Sequence, residues 1–519
     1  MSICVRLLSF LAIGGCGALA VTTPALGQAA DAARIRAVAA TDLDSIFAKW
    51  NSDSAPGCAV AVDQDGQAVL TRAYGMADLE HGIRNRAETV FEAGSVSKQF
   101  TAAAVLALVD AGKLTLDTDV RTILPELPDY GHVITVDRLL NHTSGLRDWG
   151  GIAGLAGWPR TTRVHTQNDV LAIVVKQKAL NFEPGAESSY TNTGYNLLTE
   201  IVRRVSGKSL AQFSHETFFA PLGMTHTRWR DEYRRIVPGR AQAYEWQGDR
   251  YQQEMPFEDA YGNGGLLTTV GDLLIWNRAL DSGKLGGFVT TKLSERSTLR
   301  DGRKLTYGRG LFNYTFRGTE EIAHAGSTAG YRAWLGRYPA RRLSVALLCN
   351  AANADTGMGR KVAALFLGGS AAAAVSAKPL DGLFVDQASG MPLDDARYLA
   401  NASKFVSKDR IELTGRDGNI AIFVRTAPVV AAAVKLDTYV GHYASEEVGA
   451  TYDISAGPDG LVWRIRDRPD FTRTLEPIYR DAFQGEGVTF RFVRDADGRV
   501  TGLTVSVERA RNVRFARLD

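Results

Sequence analysis

Apolar residues recur with helical spacing from about residue 33 to residue 50 and then give way to the run Gly57-Cys58-Ala59-Val60-Ala61-Val62, which predicts a strand. The turn Asp63-Gln64-Asp65-Gly66 sends the chain back through a second strand past Val69. From Val96 to Asp110 helix formers dominate, and Gly112 stands where a C-terminal cap belongs, so a buried helix is predicted with Ser95 at its opening. Helical and irregular segments fill the chain to about Asp281. Strands return near residues 322–324, 331–338 and 343–349, so a helical insert is predicted between two halves of one sheet.

Farther on the pattern changes. Gly368-Gly369-Ser370 and the alanines after it lead to Lys378-Pro379, and 371–379 reads as a linker. Residues 411–425 alternate around an Asp417-Gly418 turn, and from about residue 436 short strands recur with Asp459-Gly460 and Asp497-Gly498 at turns. The tail is therefore predicted as antiparallel β, a small domain over 380–430 and a barrel-like one over 435–519. Its aromatics Trp463, Phe490 and Phe492 read as core.

With 519 residues, the chain exceeds what one hydrophobic core usually holds. Its 45% hydrophobic and 23% charged residues are those of a globular protein, and a net charge of +3 gives no reason to expect a nucleic-acid partner. Arg6 precedes an uncharged run from Leu7 to Val21, too short to span a bilayer, and Ala25-Leu26-Gly27 offers a cleavage site. Residues 1–27 are predicted as a signal peptide, so the protein is expected in the periplasm or outside the cell. Apolar residues continue beyond Cys16, which argues against lipid anchoring there, and no later stretch is long enough for a transmembrane helix. Two cysteines remain after the leader, Cys58 and Cys349, both in apolar strands. They bridge if those strands are neighbours. Buried free thiols are the commoner outcome.

The candidate chemistry starts at Ser95-Val96-Ser97-Lys98, where a hydroxyl and an amine three residues apart share one helix face. A neutral amine beside a serine takes its proton, and a helix N-terminus favours negative charge on the serine oxygen. Alone the motif is weak, because a capping serine and a surface lysine give the same letters. Tyr190-Thr191-Asn192 follows a turn at Phe182-Glu183-Pro184-Gly185 and supplies a phenol to relay a proton and an amide to hold lysine and substrate. In His324-Ala325-Gly326-Ser327, glycine on an inner strand allows close approach of a substrate backbone, and the following N–H points at a reacting carbonyl oxygen. His142 reads as a turn-stabilising residue.

Ser95-x-x-Lys98, Tyr190-x-Asn192 and His324-x-Gly326, in that order, resemble the three motifs of the serine β-lactamase and penicillin-binding-protein superfamily. The subtype resembles class C β-lactamases, D-aminopeptidases and related esterases. Framework segments similar to that branch lie between them at Leu139-Leu140-Asn141-His142-Thr143-Ser144-Gly145-Leu146, Pro221-Leu222-Gly223-Met224 and Gly264-Gly265-Leu266-Leu267-Thr268-Thr269. The resemblance implies an α+β fold over residues 28–370: a five-stranded antiparallel sheet flanked by helices, with an all-helical lobe. It further implies Ser95 as nucleophile, Lys98 as base, Tyr190 as proton relay, Asn192, His324 and Gly326 as substrate contacts, and the N–H groups of Ser95 and Ser327 as oxyanion hole. Neither metal nor cofactor is implied. Where β-lactamases of the family carry Lys-Thr-Gly, this chain has His324-Ala325-Gly326. A histidine offers only a partial, pH-dependent cation, which argues against antibiotic hydrolysis. The expected activity is hydrolysis of short or unusual peptides, D-residue peptides among them. A carboxylesterase, a β-lactamase and a penicillin-binding sensor are the alternatives, and the oligomeric state is open.

Overall fold

The computed structural model describes residues 42–160, 162–368, 380–400 and 402–518. The leader expected at 1–27, the start of the helix expected at 33–50 and the linker expected at 371–379 lie outside the described residues. Strand β1 (Cys58–Gln64) is buried along all but its last residue, and its hairpin with β2 (Gln67–Tyr74) turns through Asp65 and Gly66. Both turn residues have positive φ, 57° and 79°, the backbone that a two-residue hairpin loop favours. The other strands of the sheet come from the far side of the helical insert: β3 (Phe312–Phe316), β4 (Thr319–Thr328), β5 (Tyr331–Tyr338) and β6 (Leu343–Cys349). Their order is β3-β4-β5-β6-β1-β2, and every pairing is antiparallel. The sheet has six strands where the resemblance implied five. The additional edge strand β3 alternates aromatic and polar residues with the period of two of a strand.

Helices cover both faces of the sheet. On one side Ala59, Ala61, Ala346 and Leu348 pack into a cluster with Phe100 of α1 (Lys98–Asp110), Tyr195 of α3 (Asn192–Ser206) and Trp276 of α4 (Val270–Asp281). On the other, Val60, Val62, Val345 and Leu347 meet Phe47, Trp50 and α5 (Met358–Leu367). Alternate residues of one strand thus serve opposite cores. Helix α1 is apolar nearly all round, which is why it lies inside the molecule. The short α2 (Trp149–Leu155) belongs to the helical lobe, at the seam with the tail.

Cys58 lies opposite Cys349 in the β1–β6 register and is disulfide-bonded to it, with Cα atoms 4.0 Å apart. Free buried thiols, the commoner expectation, are therefore overturned. The cause is topological: the two cysteine strands become neighbours only when the last strand of the sheet inserts beside the first. The link closes a span of 291 residues.

The tail holds a four-stranded sheet and a closed barrel. The sheet holds β7 (Phe384–Asp386), β8 (Ala402–Ser407), β9 (Arg410–Thr414) and β10 (Ile420–Arg425). Eight strands run in sequence round the barrel: β11 (Gly441–Ser445), β12 (Ala450–Ala456), β13 (Leu461–Ile465), β14 (Arg468–Tyr479), β15 (Ala482–Gly485), β16 (Val488–Arg494), β17 (Val500–Val507) and β18 (Ala510–Arg517). Trp463, Phe490 and Phe492 are core, and Ile152 and Leu155 of α2 enter the same cluster. The seam also holds a buried ion pair between Arg147 and Glu447, whose carboxylate accepts from the Lys178 N–H at 2.7 Å. Removing one partner of such a pair leaves a buried charge, at a cost of about 3–5 kcal/mol. The barrel is thus packed against the helical lobe and is not a loose appendage. Among the described residues no helix is long and apolar enough to cross a membrane.

A thiol count tests the disulfide. Protein lacking residues 1–27, unfolded without reductant, should titrate no free thiol, and two after reduction. Cys349→Ser should lower stability by about 2–4 kcal/mol in a denaturant titration. Two thiols before reduction would contradict the assignment.

Candidate active site

Gly94, at φ 51°, opens the tight turn Gly94–Ser97 that runs into α1. Ser95 is half-buried, whereas Gly94, Val96 and Ser97 around it are buried. Strand β4 crosses this turn so closely that a Cβ on Gly326 would stand 2.0 Å from the Ala93 carbonyl oxygen, and one on Gly94 2.6 Å from Ser327 N. Gly326 is therefore required by the Ser95 turn itself. This is a second reason for glycine at a position that also lines the cleft, where a substrate contact is expected. This apposition brings the backbone nitrogens of Ser95 and Ser327 to one end of the cleft, and Ala325 and Ser327 face outward.

Lys98 has no exposed surface. Its Nζ lies 3.2 Å from Ser95 Oγ, 2.9 Å from Asn192 Oδ1 and 2.6 Å from the Asn263 carbonyl oxygen. Burial holds its pKa well below the usual lysine value, the positive charges of Arg509 and Arg160 push it further down, and Asp148 opposes them. Two of its three polar neighbours are carbonyl oxygens, which only accept. A neutral amine satisfies both with its two protons and turns its lone pair to the serine.

Tyr190 packs against this amine, with Nζ 4.8 Å from its ring centroid. Its hydroxyl is buried and has no hydrogen-bond partner of good geometry among the described residues. Burial raises its pKa well above the usual phenol value, with Ser95 and Arg509 acting the other way, so the group is a neutral phenol. The turn that carries it is fixed by Asp148, which caps α2 and accepts from Asn192 N at 2.6 Å. His142 lies beneath Tyr190, ring centroids 4.3 Å apart, and its Nδ1 accepts from Thr191 N at 3.3 Å. It has φ 61°, so it does occupy a turn, but its imidazole is part of the wall around Tyr190, Tyr195 and Tyr307.

His324 is 4% exposed, and its Nδ1–H donates to the Ala325 carbonyl at 2.5 Å. Burial and then the neighbouring Lys98 lower its pKa to about 3, against a smaller opposing effect of that hydrogen bond. Burial at the cleft wall thus favours the uncharged imidazole over the partial cation that the sequence suggests. His142 is likewise held well below the usual value, first by burial and then by Lys98.

Ser95, Tyr190, Asn192, His324, Gly326 and Ser327 all line one cleft of about 630 Å³, and Lys98 lies buried behind it. Asn263, Arg160, Arg332 and Arg509 share the lining, and none of them was read from the sequence. Asn263 sits one residue before the Gly264-Gly265 segment and meets Lys98 through its backbone oxygen, which any residue type carries, while its Oδ1 accepts from Asn196 Nδ2 at 3.1 Å. Arg160 is fixed by a two-pronged pair with Glu258. Arg509 comes from the barrel, at the β17–β18 hairpin, 414 positions after Ser95.

A six-stranded antiparallel sheet, a helical lobe and a half-buried serine at the mouth of a buried helix define a serine hydrolase. The Beta-lactamase family profile matches residues 37–368, and the chain belongs to that family. It is similar to a D-aminopeptidase of Brucella anthropi, 27% identical over 511 residues, covering 89% of this chain and 96% of the relative. A D-aminopeptidase of Gluconobacter oxydans is 29% identical over 322 residues, covering 60% of this chain and 59% of the relative. Among solved structures, the octameric penicillin-binding protein homologue from Pyrococcus abyssi has a TM-score of 0.56 at 21% identity, over 93% of this chain and all but 1% of that one. A D-stereospecific amidohydrolase from Streptomyces sp. gives 0.54 at 21% identity, over 63% of this chain and 98% of that one.

Neutral buried histidines have a measurable consequence. Unfolded histidine takes up a proton as pH falls through about 6.5, whereas native His324 does so only near 3. Their contribution to stability is complete above 6.5 and is lost as pH falls below it, by up to about 1.4 kcal/mol per pH unit for each histidine. Imidazole NMR should show His324 and His142 neutral from pH 8 to pH 5, and His324→Asn should flatten the loss of stability across that window. Titration of His324 near pH 6.5 would contradict the assignment.

Proposed function

We propose that the chain is an exported serine amidase that cleaves short peptides, D-residue peptides among them, through an acyl-enzyme on Ser95. The observation that carries this reading is the position of Lys98 Nζ, buried, 3.2 Å from Ser95 Oγ and against two carbonyl oxygens, Asn192 Oδ1 and Asn263 O, to which a neutral amine gives its two protons while keeping its lone pair for the serine hydroxyl. Ser95 O–H then donates to Nζ, and Oγ attacks the substrate carbonyl as the proton passes to the amine. The Ser95 and Ser327 N–H groups receive the developing oxyanion. Asn192 has spent its carbonyl on Lys98, so its amide N–H is the part left for a substrate carbonyl. The departing nitrogen takes its proton from the Tyr190 phenol, which is replenished from Lys98; reversal of these transfers with water releases the acid.

The D-aminopeptidase relatives support an amide as the scissile bond. The leader read at 1–27 supports export, and the appended barrel matches the extent of the Brucella relative. His324, neutral at working pH, supports a preference for amides and esters over carboxylate-bearing β-lactams.

Peptide anilides and amides of L- and D-amino acids, p-nitrophenyl esters and nitrocefin should be compared by kcat/KM. Multiple turnover of an amide substrate is the expected outcome, and a single equivalent of product per chain would mark a sensor. Ser95→Ala should lower turnover by about a thousandfold or more and abolish labelling by acylating probes. Lys98→Arg should be nearly as damaging as Lys98→Ala, because arginine does not surrender its proton. Near-normal activity of the arginine variant would remove Lys98 as base.

A further inference from the structure

Strand β3 carries Phe312, Tyr314 and Phe316, all three only half-buried, and the rings of Phe312 and Tyr314 stack with centroids 5.3 Å apart. With Trp334 of β5 they line a second cavity of about 520 Å³. The indole is held in one place by two glycines. A Cβ would stand 2.1 Å from its ring on Gly336 and 2.4 Å from it on Gly359, so no larger residue fits at either position.

The charged groups at this cavity are engaged elsewhere or open to water. Arg360 donates Nε and Nη2 to the carboxylate of the buried Glu321, at 2.9 and 2.5 Å to Oε1, and lays its guanidinium over Tyr314, with Cζ 5.0 Å from the ring centroid. Asp355 accepts from Gly357 N at 2.7 Å and lies 3.7 Å from Lys361 Nζ. Arg416, from the turn between β9 and β10, is exposed. What is left for a ligand is aromatic surface, which receives another ring in an offset or edge-to-face arrangement.

The cavity adjoins the catalytic cleft, because His324, Ala325, Asp355 and Thr356 line both. Ala325 is exposed there and carries only a methyl group. It precedes Ser327 by two residues, roughly 6.6 Å along a strand, so the cavity opens about one aromatic side chain away from the oxyanion position. The direction is set by the rings: the Tyr190 centroid is 6.2 Å from that of His324, which is 5.3 Å from that of Phe312. Tyr190 protonates the departing nitrogen, so this row of rings leads from the leaving group to the cavity.

We propose that the cavity is a subsite for an aromatic side chain on the residue released, so that the enzyme cuts preferentially before phenylalanine-like residues. The proposal rests on the reading of Ser95 and Tyr190 given above. In the step concerned, the Ser95 Oγ–carbonyl bond forms and the carbonyl–nitrogen bond breaks. The nitrogen takes its proton from Tyr190 and leaves as an amine whose side chain has occupied the cavity.

The test uses protein lacking residues 1–27 and substrates alike in their D-alanyl acyl group: dipeptide amides releasing glycinamide, leucinamide or phenylalaninamide, the last two in both configurations, and the ethyl and 2-phenylethyl esters. Phenylalaninamide should be favoured over glycinamide about tenfold or more in kcat/KM, with leucinamide between them, and the phenylethyl ester should be favoured over the ethyl ester. Tyr314→Ala should lower both ratios about threefold or more, and Thr356→Trp, which fills the border with the cleft, should bring them close to one. Ratios near one in the parent, ratios unchanged in both variants, or leucinamide equal to phenylalaninamide would overturn the proposal. Turnover of the esters but of no dipeptide amide would instead sink the amidase reading, and the ester ratio would still decide the cavity's role. If nothing is turned over, calorimetry on Ser95→Ala decides it: tighter binding of the phenylalaninamide dipeptide than of the glycinamide one supports the subsite, and equal affinities overturn it. Because each ratio is taken within one variant, loss of folded protein does not imitate the effect.

Discussion

An amine sealed from water at the foot of a helix is costly to keep charged, and that cost organises this molecule. Lys98 has no exposed surface and no carboxylate partner among its hydrogen bonds; its neighbours are Asn192, Asn263 and Ser95. Desolvation alone favours the neutral form, and two guanidinium groups at longer range, Arg509 and Arg160, favour it further. A lysine that ordinarily serves as a surface cation is thereby shifted toward its neutral form, the form that the proposed base requires. The same burial pushes His324 and His142 toward the uncharged imidazole, and any charge on Lys98 would push them further. Such a site costs folding stability, and the disulfide between central strands and the apolar packing on both faces of the sheet offset it.

Holding the site together falls to close backbone contacts more than to side-chain pairs. Strand β4 rests on the Ser95 turn at a distance only glycine permits on both sides, Gly94 and Gly326. Asp148 joins three parts of the protein: it caps α2, accepts from the Asn192 N–H and donates its own N–H to the Arg509 carbonyl. The barrel is thereby tied to the cleft through backbone hydrogen bonds, and the buried Arg147–Glu447 pair fixes the same seam. The tail thus reaches Tyr190 through Arg509, although no strand of the tail belongs to the six-stranded sheet.

How much of this was legible in the sequence follows from the range of each interaction. Ser95 and Lys98 are three residues apart, so helical geometry alone puts them together, and the period-two alternation after residue 436 is enough for a β tail. The resemblance supplied the long-range partners Tyr190, Asn192 and His324 and the sheet that joins them. Its five strands became six because β3 alternates aromatic with polar residues at an edge. The Cys58–Cys349 bond depends on strand order, which periodicity does not encode. Asn263 acts through its backbone and Arg509 through a hairpin in another lobe, so neither leaves a local pattern. The protonation of His324 is a property of its burial, and a sequence states only that an imidazole is present.

The central claim is that Lys98 is a neutral amine in the resting enzyme, and its protonation is directly observable. NMR of protein with selectively 13C-labelled lysine, followed from pH 6 to pH 11, should show one Cε signal that titrates well below the others and disappears in Lys98→Arg. Every lysine titrating together near the ordinary value of about 10.4 would contradict the account.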